Sequence, residues 1–172
     1  GTPRLVKVTV RARRRLSELE ARRQPRTEAS SPFRSTRVYS SPMDLKQFIR
    51  DIPDFPQPGI LFRDITPLLQ NPAALRFVID RFTRELRDSD INAVVSVESR
   101  GFLFGAPISY NLGLPLIPVR KPGKLPADRM TIAYSLEYGT GQLDIHQDAL
   151  AAGQKVVIVD DLLATGGTAM AA

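Results

Sequence analysis

The 172-residue chain has no cysteine and no tryptophan, a single histidine and only 7% aromatic residues. Without cysteine, neither a disulfide framework nor a thiolate zinc site can be built. One histidine, His146, excludes a histidine-rich metal cluster and leaves no evident Ser-His-Asp triad, so a structural role is expected for it. No apolar run approaches the roughly 18 residues of a membrane span. A soluble, cytoplasmic protein without a membrane partner is the expectation. Hydrophobic residues make up 42% of the chain, enough for one core at this length.

Acidic residues are scarce where basic ones crowd. Residues 1–42 hold 11 Lys and Arg against 3 Asp and Glu, a net of +8, whereas residues 43–172 hold 13 against 15, a net of −2. The formal charge of +6 therefore belongs to the first segment, and no nucleic-acid partner is expected for the remainder. The first segment carries Arg11, Arg13, Arg14, Arg15, Arg22 and Arg23, then Ser30-Ser31-Pro32 and Ser40-Ser41-Pro42. Such composition suits a transit peptide or a nucleic-acid-binding arm. The reading preferred here is upstream sequence in an open frame, because the chain opens on Gly1 and Met43 begins an amphipathic stretch. Residues 1–42 are expected to be a disordered extension, and residues 43–172 a single domain.

That domain alternates. A short helix is expected over 44–51, ended by Pro53, Pro56 and Pro58. Asn71-Pro72 is an N-cap followed by proline at the first helical position, with Leu75, Val78, Ile79, Phe82 and Leu86 at helical spacing behind it. Ala93–Val97 and Leu116–Val119 read as buried strands, Gly101–Leu112 as a helix closed by Gly113, and 131–138 as half-buried β-structure. A turn over 148–151 precedes a final strand, Val156-Val157-Ile158-Val159. Alternation of this kind predicts an α/β fold with a mainly parallel sheet covered on both faces.

Three chemistry-bearing loops follow three strands: Glu98-Ser99-Arg100-Gly101, Arg120-Lys121-Pro122-Gly123-Lys124, and Asp160-Asp161-Leu162-Leu163-Ala164-Thr165-Gly166-Gly167-Thr168. Ligands of open α/β sheets bind beyond the carboxyl ends of the strands, so these loops should converge. A Thr- and Gly-rich turn can aim several backbone N–H groups at one phosphate. Two carboxylates beside it would repel phosphate and suit sugar hydroxyls or Mg²⁺ instead. Arg100, Arg120, Lys121 and Lys124 are read as cations for a diphosphate.

The stretch Val156–Thr168 resembles the phosphoribosyl-diphosphate signature of the type I phosphoribosyltransferases, in the form carried by the branch that acts on adenine. Phe62-Arg63-Asp64-Ile65-Thr66-Pro67 and Ser135-Leu136-Glu137-Tyr138-Gly139 match the same branch, and the likeness extends over essentially all of 43–172. The resemblance implies the type I phosphoribosyltransferase fold with a small N-terminal hood. It implies purine salvage: a phosphoribosyl group passes from 5-phosphoribosyl 1-diphosphate to adenine, with Mg²⁺ on the substrate oxygens and a homodimer as the assembly. Asp160 and Asp161 would hold the ribose hydroxyls, directly or through Mg²⁺, and Ala164, Thr165, Gly166, Gly167 and Thr168 the 5′-phosphate. Ser99, Arg100, Arg120, Lys121 and Lys124 would meet the diphosphate, and the Glu98–Ser99 peptide would be cis. Leu61, Phe62, Arg63 and Leu162 would surround adenine. Glu137, on a closing loop, would exchange a proton with the purine, with Arg100 also in the catalytic set. Two other readings stay open: a regulator that senses phosphoribosyl diphosphate without catalysis, and a transferase for another purine. The family pattern continues beyond Ala172, so its last helix and at least one strand are expected to be missing, leaving this chain poorly folded or weakly active alone.

Overall fold

The computed structural model describes residues 8–11, 43–135, 140–162 and 167–172. In chain order the elements are β1 (Val8–Arg11), a 3₁₀ turn (Leu45–Phe48), β2 (Arg50–Ile52), β3 (Phe62–Asp64), α1 (Thr66–Gln70), α2 (Pro72–Arg87), β4 (Ala93–Val97) and α3 (Arg100–Leu112). They continue with β5 (Leu116–Val119), β6 (Arg129–Ser135), β7 (Thr140–His146), β8 (Lys155–Val159) and α4 (Gly167–Ala171). The central sheet runs β1-β8-β4-β5, with β8, β4 and β5 parallel and β1 antiparallel at the edge.

The apolar runs of β4 and β8 divide between two faces, because successive side chains point opposite ways. Val94, Val157 and Val159 pack beneath α2 and α3 with Val78, Leu86, Phe104 and Ile108. Val95, Val97, Val156 and Ile158 turn to the other face, where Leu143 of β7 joins them. The second face is thus covered by the antiparallel β6–β7 hairpin, with Ala171 and Ala172 packed alongside. Among the described residues no helix is long and apolar enough to cross a membrane.

Local chemistry explains the helix ends. The Asn71 side chain accepts hydrogen bonds from the Ala73 and Ala74 amides at 3.1 and 3.0 Å, and Pro72 opens α2. Gly113 closes α3 in the left-handed region at φ 63°. Within α3, Gly101 and Gly105 lie one turn apart on the face against the sheet. A Cβ on Gly101 would stand 2.7 Å from the Val159 carbonyl oxygen, and one on Gly105 only 2.4 Å from Ser96 Oγ. These two glycines let α3 settle close to β8 and β4.

Two expectations need correction. The helix over 44–51 is only the 3₁₀ turn, because Arg50–Ile52 pairs with β3 in the register Arg50↔Asp64 and Ile52↔Phe62. The half-buried segment placed at 131–138 is the first arm of a hairpin that starts at Arg129, and its second arm, β7, went unread. Within residues 1–42 the structure describes Val8–Arg11, with β-branched residues at 8, 9 and 10, which pairs along β8 from Val8↔Ile158 to Arg11↔Lys155.

Candidate active site

The parallel strands β8, β4 and β5 end side by side, and the three loops after them form one rim, as strand order requires. At its centre Arg100, the first residue of α3, reaches Asp161 just after β8, with Nε 2.9 Å from Oδ2. Asp161 is almost buried, its side chain 6% exposed against 34% for Arg100. The Arg100 guanidinium also lies over the Phe62 ring, 5.1 Å from its centroid, a cation–π contact. Phe62 belongs to the β2–β3 ribbon, which forms the hood, and its ring meets Phe55 edge-on at 5.1 Å. One guanidinium therefore ties an aromatic shelf to an acidic pair.

Asp160 and Asp161 differ in environment. Burial pushes the Asp160 carboxyl up to about 7; the Asp161 amide opposes the rise while the Asp161 charge adds to it. That amide donates to Asp160 Oδ1 at 2.8 Å. Only Asp161 has the arginine as a direct partner. A carboxyl that titrates near neutrality beside a second carboxylate can both accept from and donate to vicinal hydroxyls.

The second loop is held from within. The Glu98–Ser99 peptide is cis, as the resemblance implied. Glu98 accepts from Arg120 Nε at 3.2 Å and from the Lys121 amide at 3.0 Å. Burial alone would raise the Glu98 carboxyl, yet the Lys121 amide and the Arg120 and Lys124 charges outweigh it and hold it below its ordinary value. Arg120 Nη1 donates in turn to the Lys124 carbonyl at 2.9 Å. Of the four rim cations, Arg100 and Arg120 each carry a carboxylate partner, and Lys121 and Lys124 have no ion pair among the described residues.

Around the hood, Leu61 is 48% exposed and Leu162, on the far rim, 38% exposed. The Arg63 side chain is engaged with Asp51 across β2–β3, which leaves its main chain beside Phe62. Asp64 accepts from the Thr66 amide and hydroxyl just ahead of α1, and those two bonds hold its carboxyl below the usual range. Ser99 is exposed at the rim, and Gly167 and Thr168 begin α4 after the acidic pair. Glu137, Ala164, Thr165 and Gly166 lie outside the described residues. His146 sits on β7, opposite Arg129, with Nε2 buried and without a partner among the described residues.

Sequence reasoning missed one residue altogether. Asp144 on β7 is 1% exposed and binds the Arg120–Lys124 loop from the hairpin side. Between Leu143 and Ile145 it reads as a solvated strand position, and only the fold places a loop over it.

A family model described as a phosphoribosyl transferase domain matches residues 64–172. The adenine phosphoribosyltransferase of Acaryochloris marina is 67% identical over 129 residues, which cover 75% of this chain and 76% of that protein. That of Thermotoga neapolitana is 62% identical over 129 residues, with 75% and 76% covered. Among solved structures, the adenine phosphoribosyltransferase of Thermoanaerobacter pseudethanolicus superposes with a TM-score of 0.71 at 54% identity, covering 74% of each chain. The Saccharomyces cerevisiae enzyme, solved with an imino-altritol bisphosphate and adenine, gives a TM-score of 0.69 at 43% identity, again with 74% of each chain covered.

Proposed function

The chain belongs to the adenine phosphoribosyltransferase family, and from that premise we propose how its residues carry the family's reaction. It is an enzyme of purine salvage that transfers the phosphoribosyl group of 5-phosphoribosyl 1-diphosphate to adenine. The bond from ribose C1 to the diphosphate oxygen breaks, a bond from C1 to an adenine ring nitrogen forms, and that nitrogen's proton is lost. The products are AMP and diphosphate.

Adenine lies against Phe62, between the hood and Leu162, with the main chain at Leu61 and Arg63 meeting its polar edge. A backbone C=O beside an N–H matches an amino donor beside a ring-nitrogen acceptor. Asp160 and Asp161 hold the ribose hydroxyls, and Ala164–Thr168 the 5′-phosphate. Ser99, Lys121 and Lys124 receive the departing diphosphate, with Arg120 as the buttress of that loop. Arg100 lies where base and ribose meet, so its charge acts on both sides of the bond being exchanged. Glu137 exchanges a proton with the purine, and the loop that carries it excludes water from the electron-poor ribose carbon. Catalysis then rests on positioning and charge, without a covalent enzyme intermediate.

The donor set suits Mg²⁺ carried on substrate oxygens: two adjacent carboxylates stand at the rim, and among the described residues no cluster of three or more metal-ligating side chains occurs. Bound there, Mg²⁺ would neutralise diphosphate charge, with Asp160 and Asp161 holding its outer shell. The assembly is a homodimer. Leu103 and Tyr110, one heptad apart on α3, are 47% and 77% exposed and suit a second copy, which size-exclusion chromatography would reveal. Its substrates place the enzyme in the cytoplasm, where cell fractionation should find it.

The observation that carries this reading is the Arg100 bridge between the Phe62 shelf and Asp161. The test is AMP formation from adenine, 5-phosphoribosyl 1-diphosphate and Mg²⁺, with hypoxanthine as the control base. Adenine-specific turnover that disappears in Glu137→Ala is expected. Tight binding of the diphosphate substrate without turnover would replace the enzyme by a sensor of the same fold.

A further inference from the structure

The turn after β5 spends its own backbone donors. Arg120 N–H donates to the Asp144 carbonyl at 2.9 Å and Lys124 N–H to the Lys121 carbonyl at 3.3 Å. Lys121 N–H goes to Glu98 at 3.0 Å, and Gly123 N–H to Asp144 Oδ2 at 3.2 Å. Pro122 has no N–H to give. Pro122 and Gly123 occupy the central positions of a type II turn, Gly123 with φ 76°. This glycine turn cannot act as a nest of free amides toward a phosphate. What it presents outward is a pair of ammonium groups, Lys121 and Lys124.

Whatever fixes the turn therefore fixes the lysines. Glu98 grips it from the β4 side and Asp144 from the β7 side. Asp144 is buried, and every strong partner it has is a donor. Thr131 Oγ1 donates to Oδ1 at 2.7 Å, Arg129 Nε lies 3.1 Å from Oδ2, and Gly123 N–H meets the same oxygen. Its main chain also exchanges two hydrogen bonds with Arg120, at 2.7 and 2.9 Å. Packing alone would be satisfied by an apolar side chain, as at Leu143 and Ile145 beside it. A buried carboxylate is costly to retain unless its partners satisfy it, and these do.

We propose that Asp144 is a positioning residue for the diphosphate subsite: it locks the Lys121–Lys124 turn to the β6–β7 hairpin so that both ammonium groups face the leaving group in fixed register. The inference rests on the reading of that turn as the diphosphate site.

Two variants separate this role from plain stability. Asp144→Leu fills the slot and removes both acceptors. Asp144→Asn can aim its oxygen at Gly123 and Arg129 and its amide at the Thr131 hydroxyl, which is able to accept. With the full chain, Asp144→Leu is expected to raise KM for 5-phosphoribosyl 1-diphosphate and Ki for inorganic diphosphate by about tenfold, the size expected when a buried hydrogen-bond partner is lost. KM for adenine should stay within about twofold, and Asp144→Asn should recover most of the loss. A folded Asp144→Leu protein whose two KM values are unchanged, or rise together, would overturn the proposal. If Asp144→Leu does not fold, Arg129→Gln, on the more exposed side of the ion pair, should give a smaller rise confined to the diphosphate substrate; an equal rise for adenine, or none, would count against it. Should the parent protein form no AMP, calorimetry with inorganic diphosphate still decides: weaker binding to Asp144→Leu supports the role, and equal binding refutes it.

Discussion

Replacing Gly101 by alanine tests the link between helix placement and the site. The added Cβ would lie 2.7 Å from the Val159 carbonyl oxygen and 3.3 Å from both Asp160 Cα and Asp160 Oδ1. Carbon–oxygen contacts normally sit at about 3.3 Å or more, so the helix must retreat by roughly half an ångström. The strand cannot yield in its place, because β8 is hydrogen-bonded to β1 on one side and β4 on the other. Overpacking of this kind costs about 1–3 kcal/mol. Alanine returns at most about 1 kcal/mol of helix propensity, and less in a first turn. Overpacking wins, and a net loss near 1–2 kcal/mol should lower Tm by roughly 2–8 °C for a chain of this size. The same retreat pulls Arg100 from Asp161, now 2.9 Å away. Since a misplacement of ~1 Å can cost ~100-fold, kcat/KM should fall by about tenfold. Gly105→Ala is the control, because its Cβ meets Ser96 at 2.4 and 2.7 Å, away from the rim. It should destabilise comparably and spare kcat/KM at a temperature where both variants are folded. Thermal melts followed by circular dichroism and steady-state AMP formation read the two effects. A Gly101→Ala protein with the parent's Tm and turnover would refute the argument that glycine sets the approach of α3.

Asp160→Asn should make the protein more stable at pH 8 while weakening substrate binding. Because burial raises the folded carboxyl from 3.8 to about 7, the parent loses stability as pH climbs through that interval, and asparagine does not titrate. The variant's advantage should be near its minimum below pH 4 and full above pH 7; parallel urea midpoints across that range would contradict it. Asn71→Ala removes the acceptor of the Ala73 and Ala74 amides and should cost about 1 kcal/mol in urea unfolding without altering either KM. An unchanged midpoint would show that α2 is held by its packing alone.

Where the chain's own neighbourhood decides the structure, the residues were readable. The bounds of β4 and β5 follow from short apolar runs between turn residues, the start of α2 from Asn71-Pro72, and the end of α3 from Gly113. Where a distant partner decides, they were not. Arg50–Ile52 extends because β3 lies opposite, and β7 forms because β6 offers it an edge. The site divides along the same line. The motifs named the residue types at the rim, but a motif cannot state which charges are already spent. Glu98 and Asp161 sit inside two of the three rim segments, and each pairs with an arginine supplied by another, Glu98 with Arg120 and Asp161 with Arg100. Asp144 arrives from a strand that no motif covers, and it takes the Gly123 amide. Glu98 and Asp144 thus tie one guanidinium group and two amides into the framework of the Arg120–Lys124 turn, while Arg100 stays at the centre of the rim, paired with Asp161. On the proposed function, the positive charge that meets the diphosphate at this turn is carried by Lys121 and Lys124. Ammonium groups on a rigid turn hold an anion firmly enough to stabilise it as it leaves, yet they make no fixed bidentate grip that would hinder its release.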